Sequence, residues 1–169
     1  ENLLLLVHNQ EEFLVQVQAH GKKDLLNIDF TLVSKTIERI FVARTSLITG
    51  ILSRLGIGRI YHSALLLKSG KEFFLVEYTG EGQVITLIAD NVCDATFEIN
   101  GTQWRKQTIG KAISKELSLG DVINIMCQNM SVSEYNLNKH NCHIAQESTR
   151  VSLGIDHDLT YEKLANEKA

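Results

Sequence analysis

The sequence contains no proline, and its 11 glycines are scattered along the chain rather than clustered. It therefore has no stretch with the composition of a linker between domains, and no repeat or low-complexity segment is visible. A single core typically takes about 100 to 200 residues, so we expect residues 1–169 to form one domain. Within that domain we distinguish an N-terminal part (1–58), a central core (59–154) and a C-terminal tail (155–169).

Cysteine is also scarce, with only Cys93, Cys127 and Cys142. An odd number without a CxxC pair excludes a disulfide framework and the ligand spacing of zinc fingers. We therefore expect a reducing compartment such as the cytoplasm, with a secreted effector or a truncated membrane protein as alternatives. No motif for a metal or an organic cofactor is present, and we expect neither.

Long basic and long apolar runs are missing as well. The longest basic run is Lys22-Lys23 and the formal net charge is −3, so the basic surface that nucleic-acid binding requires is lacking. The longest apolar region, residues 40–57, is interrupted by arginine, threonine and serine, and falls short of the about 20 apolar residues of a transmembrane helix. The first residues lack the basic region of a signal peptide. We expect a soluble protein without a nucleic-acid partner or membrane association.

The N-terminal part contains one predicted hairpin and two predicted helices. Residues 3–8 and 13–18 are apolar runs on either side of a polar loop, and the second run alternates apolar with polar residues, which is typical of a strand. From 29 to 44, apolar residues recur at helical spacing with charged residues on the other face, which predicts an amphipathic helix. A weaker pattern predicts a second helix over 46–55.

The central part changes to strand patterns. Ser69-Gly70 separates two apolar and aromatic runs, and its glycine can adopt the positive φ of a two-residue hairpin loop. Asn100-Gly101 is a still stronger hairpin signal between two shorter runs. The predicted strands are 59–68, 71–78, 84–89, 95–99 and 102–106.

Two further helices are predicted near the C-terminal end of the core. Ser118 and Asp121 are spaced like a capping box and are followed by an apolar stripe at helical spacing. The second of these helices runs over about 141–153, with Gly154 at the C′ position. Strands followed by helices define an α+β fold, in which helices flank an antiparallel sheet.

Cys142 lies in the first turn of the last predicted helix, with Asn141 as its N-cap. Backbone N–H groups and the helix dipole at that end stabilise negative charge, so this position lowers the pKa of a thiol and suits a nucleophile. The alternative is a small buried side chain beside an ordinary helix cap. His140 and His143 lie close by in sequence, but their spacing from Cys142 does not match that of structural zinc ligands.

His62 opens a predicted strand. A hairpin with the loop 69–70 pairs Lys68 with Lys71 and, in the same register, His62 with Glu77. Directly opposed residues have Cβ atoms about 4.5 to 5.5 Å apart, close enough for a carboxylate to orient an imidazole. The alternatives are a strand-end histidine bonded to backbone and a solvated carboxylate.

A cysteine at a helix start and a histidine on a neighbouring sheet form the pair that thiol hydrolases use. The imidazole takes the thiol proton and later protonates the leaving group, while backbone N–H groups beside Cys142 contribute to an oxyanion hole. Other candidates are expected to be structural: Trp104 packs in the core or at an edge, and Cys93 and Cys127 are inert.

Four short segments in this order, 61–65, 71–74, 135–137 and 140–142, read YHSAL, KEFF, YNL and HNC. They resemble the circularly permuted papain fold, and most closely its PPPDE branch of deSUMOylating and deubiquitinating isopeptidases. The resemblance covers residues 59–154. It implies a permuted papain-like catalytic core with the nucleophilic cysteine at the N-terminus of a helix.

The resemblance also implies roles for individual residues. His62 and Cys142 correspond to the catalytic dyad of the family, and Tyr61, Asn141 and His143 flank the dyad as candidate binding residues. Permuted relatives of the NlpC peptidase type place a carboxylate on the strand after the histidine, which Glu77 resembles. Lecithin:retinol acyltransferase-like relatives have a second histidine on that strand, whereas residues 71–80 contain none.

We therefore expect a thiol hydrolase, a cysteine peptidase, isopeptidase or amidase, with a Cys142–His62 dyad or a triad that includes Glu77. Its expected partner is a protein or peptide substrate, for which the resemblance suggests a ubiquitin-like conjugate. Two alternatives stay open from the sequence. One is a thiol-dependent acyltransferase or a lipid or N-acyl hydrolase, and the other is a non-catalytic binding module that keeps the papain-like fold.

Overall fold

The computed structural model describes residues 2–8, 11–20, 30–46, 61–79, 82–88, 92, 94–99, 101–106, 110–113, 115–130 and 142–155. Within these ranges, nine strands form one sheet, accompanied by three helices, so the fold is α+β. None of the helices in these ranges is long and apolar enough to cross a membrane. The strands are β1 (Asn2–His8), β2 (Glu11–His20), β3 (Arg39–Ser46), β4 (Tyr61–Ser69), β5 (Glu72–Thr79), β6 (Gly82–Ile88), β7 (Thr96–Ile99), β8 (Thr102–Lys106) and β9 (Lys111–Ala112), and the helices are α1 (Phe30–Val33), α2 (Leu119–Met130) and α3 (Cys142–Ser152).

The strands are arranged in the order β1-β2-β6-β5-β4-β3-β8-β7, and β9 also pairs with β3. Neighbouring strands are antiparallel, as expected, with one departure: β2 and β6 are parallel. Strands joined by a short hairpin must be antiparallel, whereas a parallel pair needs a long crossover connection. The chain from β2 to β6 passes through three other strands, and this long path permits the parallel pairing.

The predicted helix over 29–44 is wrong for most of its length, because only α1 is helical and the chain then forms β3. Side chains of β3 alternate between two apolar clusters: Ile40 and Val42 belong to one, Phe41 and Ala43 to the other. A strand that is buried on both faces has a continuous apolar run, which periodicity alone does not distinguish from a buried helix.

Other local predictions agree with the structure. The hairpins β1–β2 and β7–β8 form, and in the second Ile99 is paired with Thr102. Gly101 has the positive φ that this turn requires. The strands predicted over 59–89 are β4, β5 and β6, with their ends displaced by at most two residues. The helix predicted over 46–55 starts on the last residue of β3, and its other residues lie outside the described ranges.

The three central strands β3, β4 and β5 carry apolar side chains on both faces. One cluster faces α2 and α3, and the other includes residues of β7 and β8. Burying a leucine or phenylalanine side chain stabilises the fold by about 1.5 to 3 kcal/mol, so these clusters hold the three strands together. From β4 and β5, the first cluster contains Leu65, Leu67, Phe74 and Val76, and the second contains Ala64, Leu66, Phe73 and Leu75.

The helix termini follow their predicted capping motifs. The Ser118 backbone N–H donates to Asp121 Oδ2 at 2.9 Å, and the Asp121 N–H donates to Ser118 Oγ at 3.1 Å, which is a capping box at the start of α2. Gly154 follows α3 with φ 70°, and the Ile155 N–H donates to the Arg150 carbonyl at 2.9 Å. This Schellman motif ends α3 where the sequence predicted.

The close approach of Gly110 to Phe41 leads to a stability prediction. Gly110 has a positive φ and a Cβ added to it would overlap the buried Phe41 ring, whereas a Cβ at Gly101, which also has a positive φ, would meet nothing. Both Gly→Ala variants adopt a left-handed conformation that costs about 1 to 2 kcal/mol, and only Gly110→Ala adds about 1 to 3 kcal/mol of overpacking. Urea unfolding should show the larger loss for Gly110→Ala, and equal losses would contradict this packing.

Candidate active site

His62 and Glu77 form a direct contact at one end of the two central strands β4 and β5. The His62 Nε2 atom lies 2.8 Å from Glu77 Oε1, and the two side chains are only 13% and 15% exposed. Because a carboxylate only accepts hydrogen bonds, the Nε2 atom carries the proton in this contact. The carboxylate therefore sets both the orientation and the tautomer of the imidazole.

The register that produces this contact differs from the predicted one by two residues. The loop is Gly70-Lys71 rather than residues 69–70, so Leu67 pairs with Phe74. Continued one step beyond the pair Leu65–Val76, this register sets Glu77 opposite Ala64 instead of His62. The observed register matches buried residues with each other and keeps Lys68 away from Lys71, whose like charges repel. Because a shift of two keeps side chains on the same face, Glu77 still reaches His62 as a diagonal neighbour.

Cys142 completes the cluster from the helix. It is the first residue of α3, which packs against β4 and β5, and its side chain is 4% exposed. A hydrogen bond joins the His62 side chain to the Cys142 side chain. The structure therefore brings together Cys142, His62 and Glu77, the three residues that the sequence pointed to as catalytic candidates.

The surroundings of His62 favour its charged form. Burial by itself lowers the pKa of the imidazole, but hydrogen bonds to Cys142 and Glu77, together with attraction to their negative charges, raise it from the ordinary 6.5 to about 9. This attraction is reciprocal, so a protonated His62 stabilises the thiolate of Cys142. The geometry supports an imidazolium–thiolate pair with a carboxylate behind it.

The remaining candidates are described only in part. Tyr61 begins β4, where it pairs with Ser46, and His143 is the second residue of α3; the side chains of Tyr61 and His143 lie outside the described part. Asn141, His140 and Cys93 lie outside it entirely. Among the described residues, no group of histidine, cysteine and acidic side chains could hold a metal ion.

Cys127 contrasts with Cys142. It lies on α2 among apolar residues of the first cluster, and burial raises the pKa of its thiol to about 12. A thiol that stays protonated at neutral pH is a poor nucleophile. Cys127 therefore provides an internal control for the reactivity of Cys142.

Trp104 is a neighbour of the site that was expected to serve only for packing. It is buried in the second cluster, and its ring centroid lies 5.6 Å from that of His62 with the planes inclined by 64°. The contact depends on β8 pairing with β3, a strand that the sequence pattern had assigned to a helix. No local signal in the sequence could have revealed it.

No protein-family model, curated protein or solved structure matches this chain. The family resemblance therefore rests on the sequence segments themselves, and the function has to be argued from the geometry of the site.

The charge of Glu77 should be visible in the titration of His62. In Glu77→Gln the pKa of His62 is expected to fall from about 9 towards 6.5, because one of the two negative partners is lost. The measurement is the chemical shift of the His62 ring proton against pH. Glu72→Gln removes the same charge from the same strand, where Glu72 pairs with Lys35, and serves as the control that leaves His62 unchanged. An unaltered titration in Glu77→Gln would contradict the contact.

Proposed function

We propose that this protein is a thiol hydrolase that cleaves an amide or isopeptide bond in a protein or peptide substrate. Cys142 is the nucleophile, His62 the general acid and base, and Glu77 the group that orients the imidazole. The observation that carries the proposal is that Glu77, His62 and Cys142 are joined in this order by side-chain hydrogen bonds. This arrangement follows the logic of a catalytic triad, in which an oriented base activates the nucleophile.

The contacts define the course of the reaction. Because Glu77 occupies Nε2, Nδ1 is the nitrogen left to accept the proton of the Cys142 thiol. The thiolate attacks the carbonyl carbon, and the imidazolium then protonates the leaving nitrogen as the C–N bond breaks. A thioester on Cys142 results. His62 next removes a proton from water, the hydroxide attacks the thioester, and the thiol is regenerated.

The start of α3 supplies the second requirement, stabilisation of the oxyanion. The first backbone N–H groups of a helix have no partner within the helix, and the helix dipole is positive at that end. Cys142 is the first residue of α3, so these donors are next to the carbon that its sulfur would attack. Removing one such donor typically reduces kcat by about 10² to 10³-fold.

Glu77 favours the hydrolase over the acyltransferase alternative. A carboxylate on the strand after the histidine is the arrangement that resembles NlpC-type permuted peptidases, whereas acyltransferase-like relatives have a histidine there. The permuted papain-like fold and a ubiquitin-like conjugate as substrate belong to the same proposal, and both rest on the sequence segments around His62 and Cys142.

Cysteine alkylation tests the proposal without knowledge of the substrate. Iodoacetamide should label Cys142 rapidly well below pH 8, and His62→Ala should abolish this because a free thiol has a pKa of about 8.5. Mass spectrometry locates the label, and Cys127→Ala, which removes the inert thiol, should react as the wild type does. If wild-type Cys142 reacts no faster than a free thiol, the proposal is wrong and a binding role is the better explanation.

Hydrolysis should also fall at high pH. The leaving nitrogen needs the proton of His62, and this proton is lost as the pH rises through about 9. With ubiquitin-like and peptide amides of a fluorescent amine as substrates, we expect an alkaline limb of kcat/KM near pH 9 and no turnover by Cys142→Ala. Cleavage by Cys142→Ala equal to the wild type would refute the assignment. A lasting acyl mass on Cys142 after incubation with phospholipid would support the acyltransferase alternative.

A further inference from the structure

Glu77 lies on β5, to one side of β4, and His62 has a further neighbour on the same face of the sheet, to the other side of β4. In the ladder between β3 and β4, Thr45 pairs with His62. On the other side of β3, Arg44 pairs with Arg105 of β8, and this register continues to Thr45 opposite Trp104. Paired residues point to the same face of a sheet. His62, Thr45 and Trp104 therefore form a row across three strands.

Thr45 lies in the middle of this row and holds β8 against β3. Its side chain is buried, and its Oγ1 atom donates a hydrogen bond of 2.6 Å to the carbonyl of Gln103. This bond fixes β8 to β3 just beyond the last backbone pair, at the residue before Trp104. The threonine side chain is also small enough for the indole to extend over it towards the imidazole. The centroids of the two rings are 5.6 Å apart.

We propose that the β7–β8 hairpin is the positioning element for His62, with Trp104 restricting the rotation of the imidazole and the Thr45 hydroxyl seating the strand that carries Trp104. This inference rests on the proposed function and names two residues that act through the base rather than on the substrate.

The hydrogen bond to Glu77 is made at Nε2, so by itself it does not stop the ring turning about the axis from Cγ to Nε2, a motion that moves Nδ1 away from Cys142. The buried indole, in contact from the side of β8, opposes this rotation. A base works only within a narrow range of positions. Without the indole, Nδ1 would point towards the Cys142 sulfur for only part of the time.

The test compares variants in the rate and pH dependence of Cys142 alkylation. For Trp104→Ala we expect the rate at pH 7 to fall by about tenfold, because a misplaced base loses one to two orders of magnitude. The midpoint of its pH profile should move towards the about 8.5 of a free thiol. Trp104→Phe should restore most of the rate. Phe97→Leu changes the residue paired with Trp104 in the same hairpin and should leave the profile unchanged.

Variants of Thr45 give a second, independent test of the positioning role, because valine has nearly the size of threonine. Thr45→Val removes only the hydroxyl and should move the alkylation profile in the same direction as Trp104→Ala, whereas Thr45→Ser keeps the hydroxyl and should match the wild type. This pair decides the question if Trp104→Ala does not fold.

The outcomes separate the two proposals. In one outcome, Cys142 of the wild type is alkylated rapidly and the rate falls in His62→Ala but not in the variants of Trp104 or Thr45. This would overturn the positioning role and leave the hydrolase proposal intact. A wild-type Cys142 that reacts like a free thiol would overturn both. An equal loss of rate in Phe97→Leu would also overturn the positioning role, because general loosening of the hairpin would then explain the effect.

Discussion

Burial of β3, β4 and β5 on both faces is the constraint on which the site depends. Their central side chains fill two apolar clusters, so partly buried groups that must exchange protons are placed towards the strand ends. His62 is the second residue of β4, and Glu77 follows the buried run of β5. Because α3 packs on the same two strands, its first residue, Cys142, reaches the same place. The same packing that forms the core therefore also brings the three residues of the site together.

The three polar side chains are stable only as a set. A charged imidazole in a largely buried position is costly by itself, and its two partners offset that cost through hydrogen bonds and attraction. Removal of one partner leaves the other two with an uncompensated charge or an unused hydrogen-bonding atom. For Arg150 on α3 the cost of burial is the larger effect. Burial lowers the pKa of its guanidinium, and the attraction to Glu147, which raises the pKa, only partly offsets it.

Features set by local chemistry could be predicted from the sequence. The β7–β8 hairpin with Gly101, the Ser118–Asp121 capping box and the Gly154 helix end each depend on a few adjacent residues. The contact between His62 and Glu77 was also predictable, although the register was wrong, because the two-residue period of a strand preserves the face. β3 was missed because a strand buried on both sides has no alternation to reveal it. The contact with Trp104 was missed for the same reason, since it exists only through β3.

The pairing of β3 has a consequence for the order in which the chain can fold. β3 lies between β4, which follows it in the chain, and β8, which comes much later, and β2 pairs with the distant β6. Contacts between residues far apart in sequence close large loops and make folding slow. During synthesis the first two hairpin strands and β3 are made well before their partners β6 and β8. A histidine that needs Trp104 for its final position would then acquire it only after the centre of the sheet has closed, so reactivity would appear late in folding rather than with the first compact state.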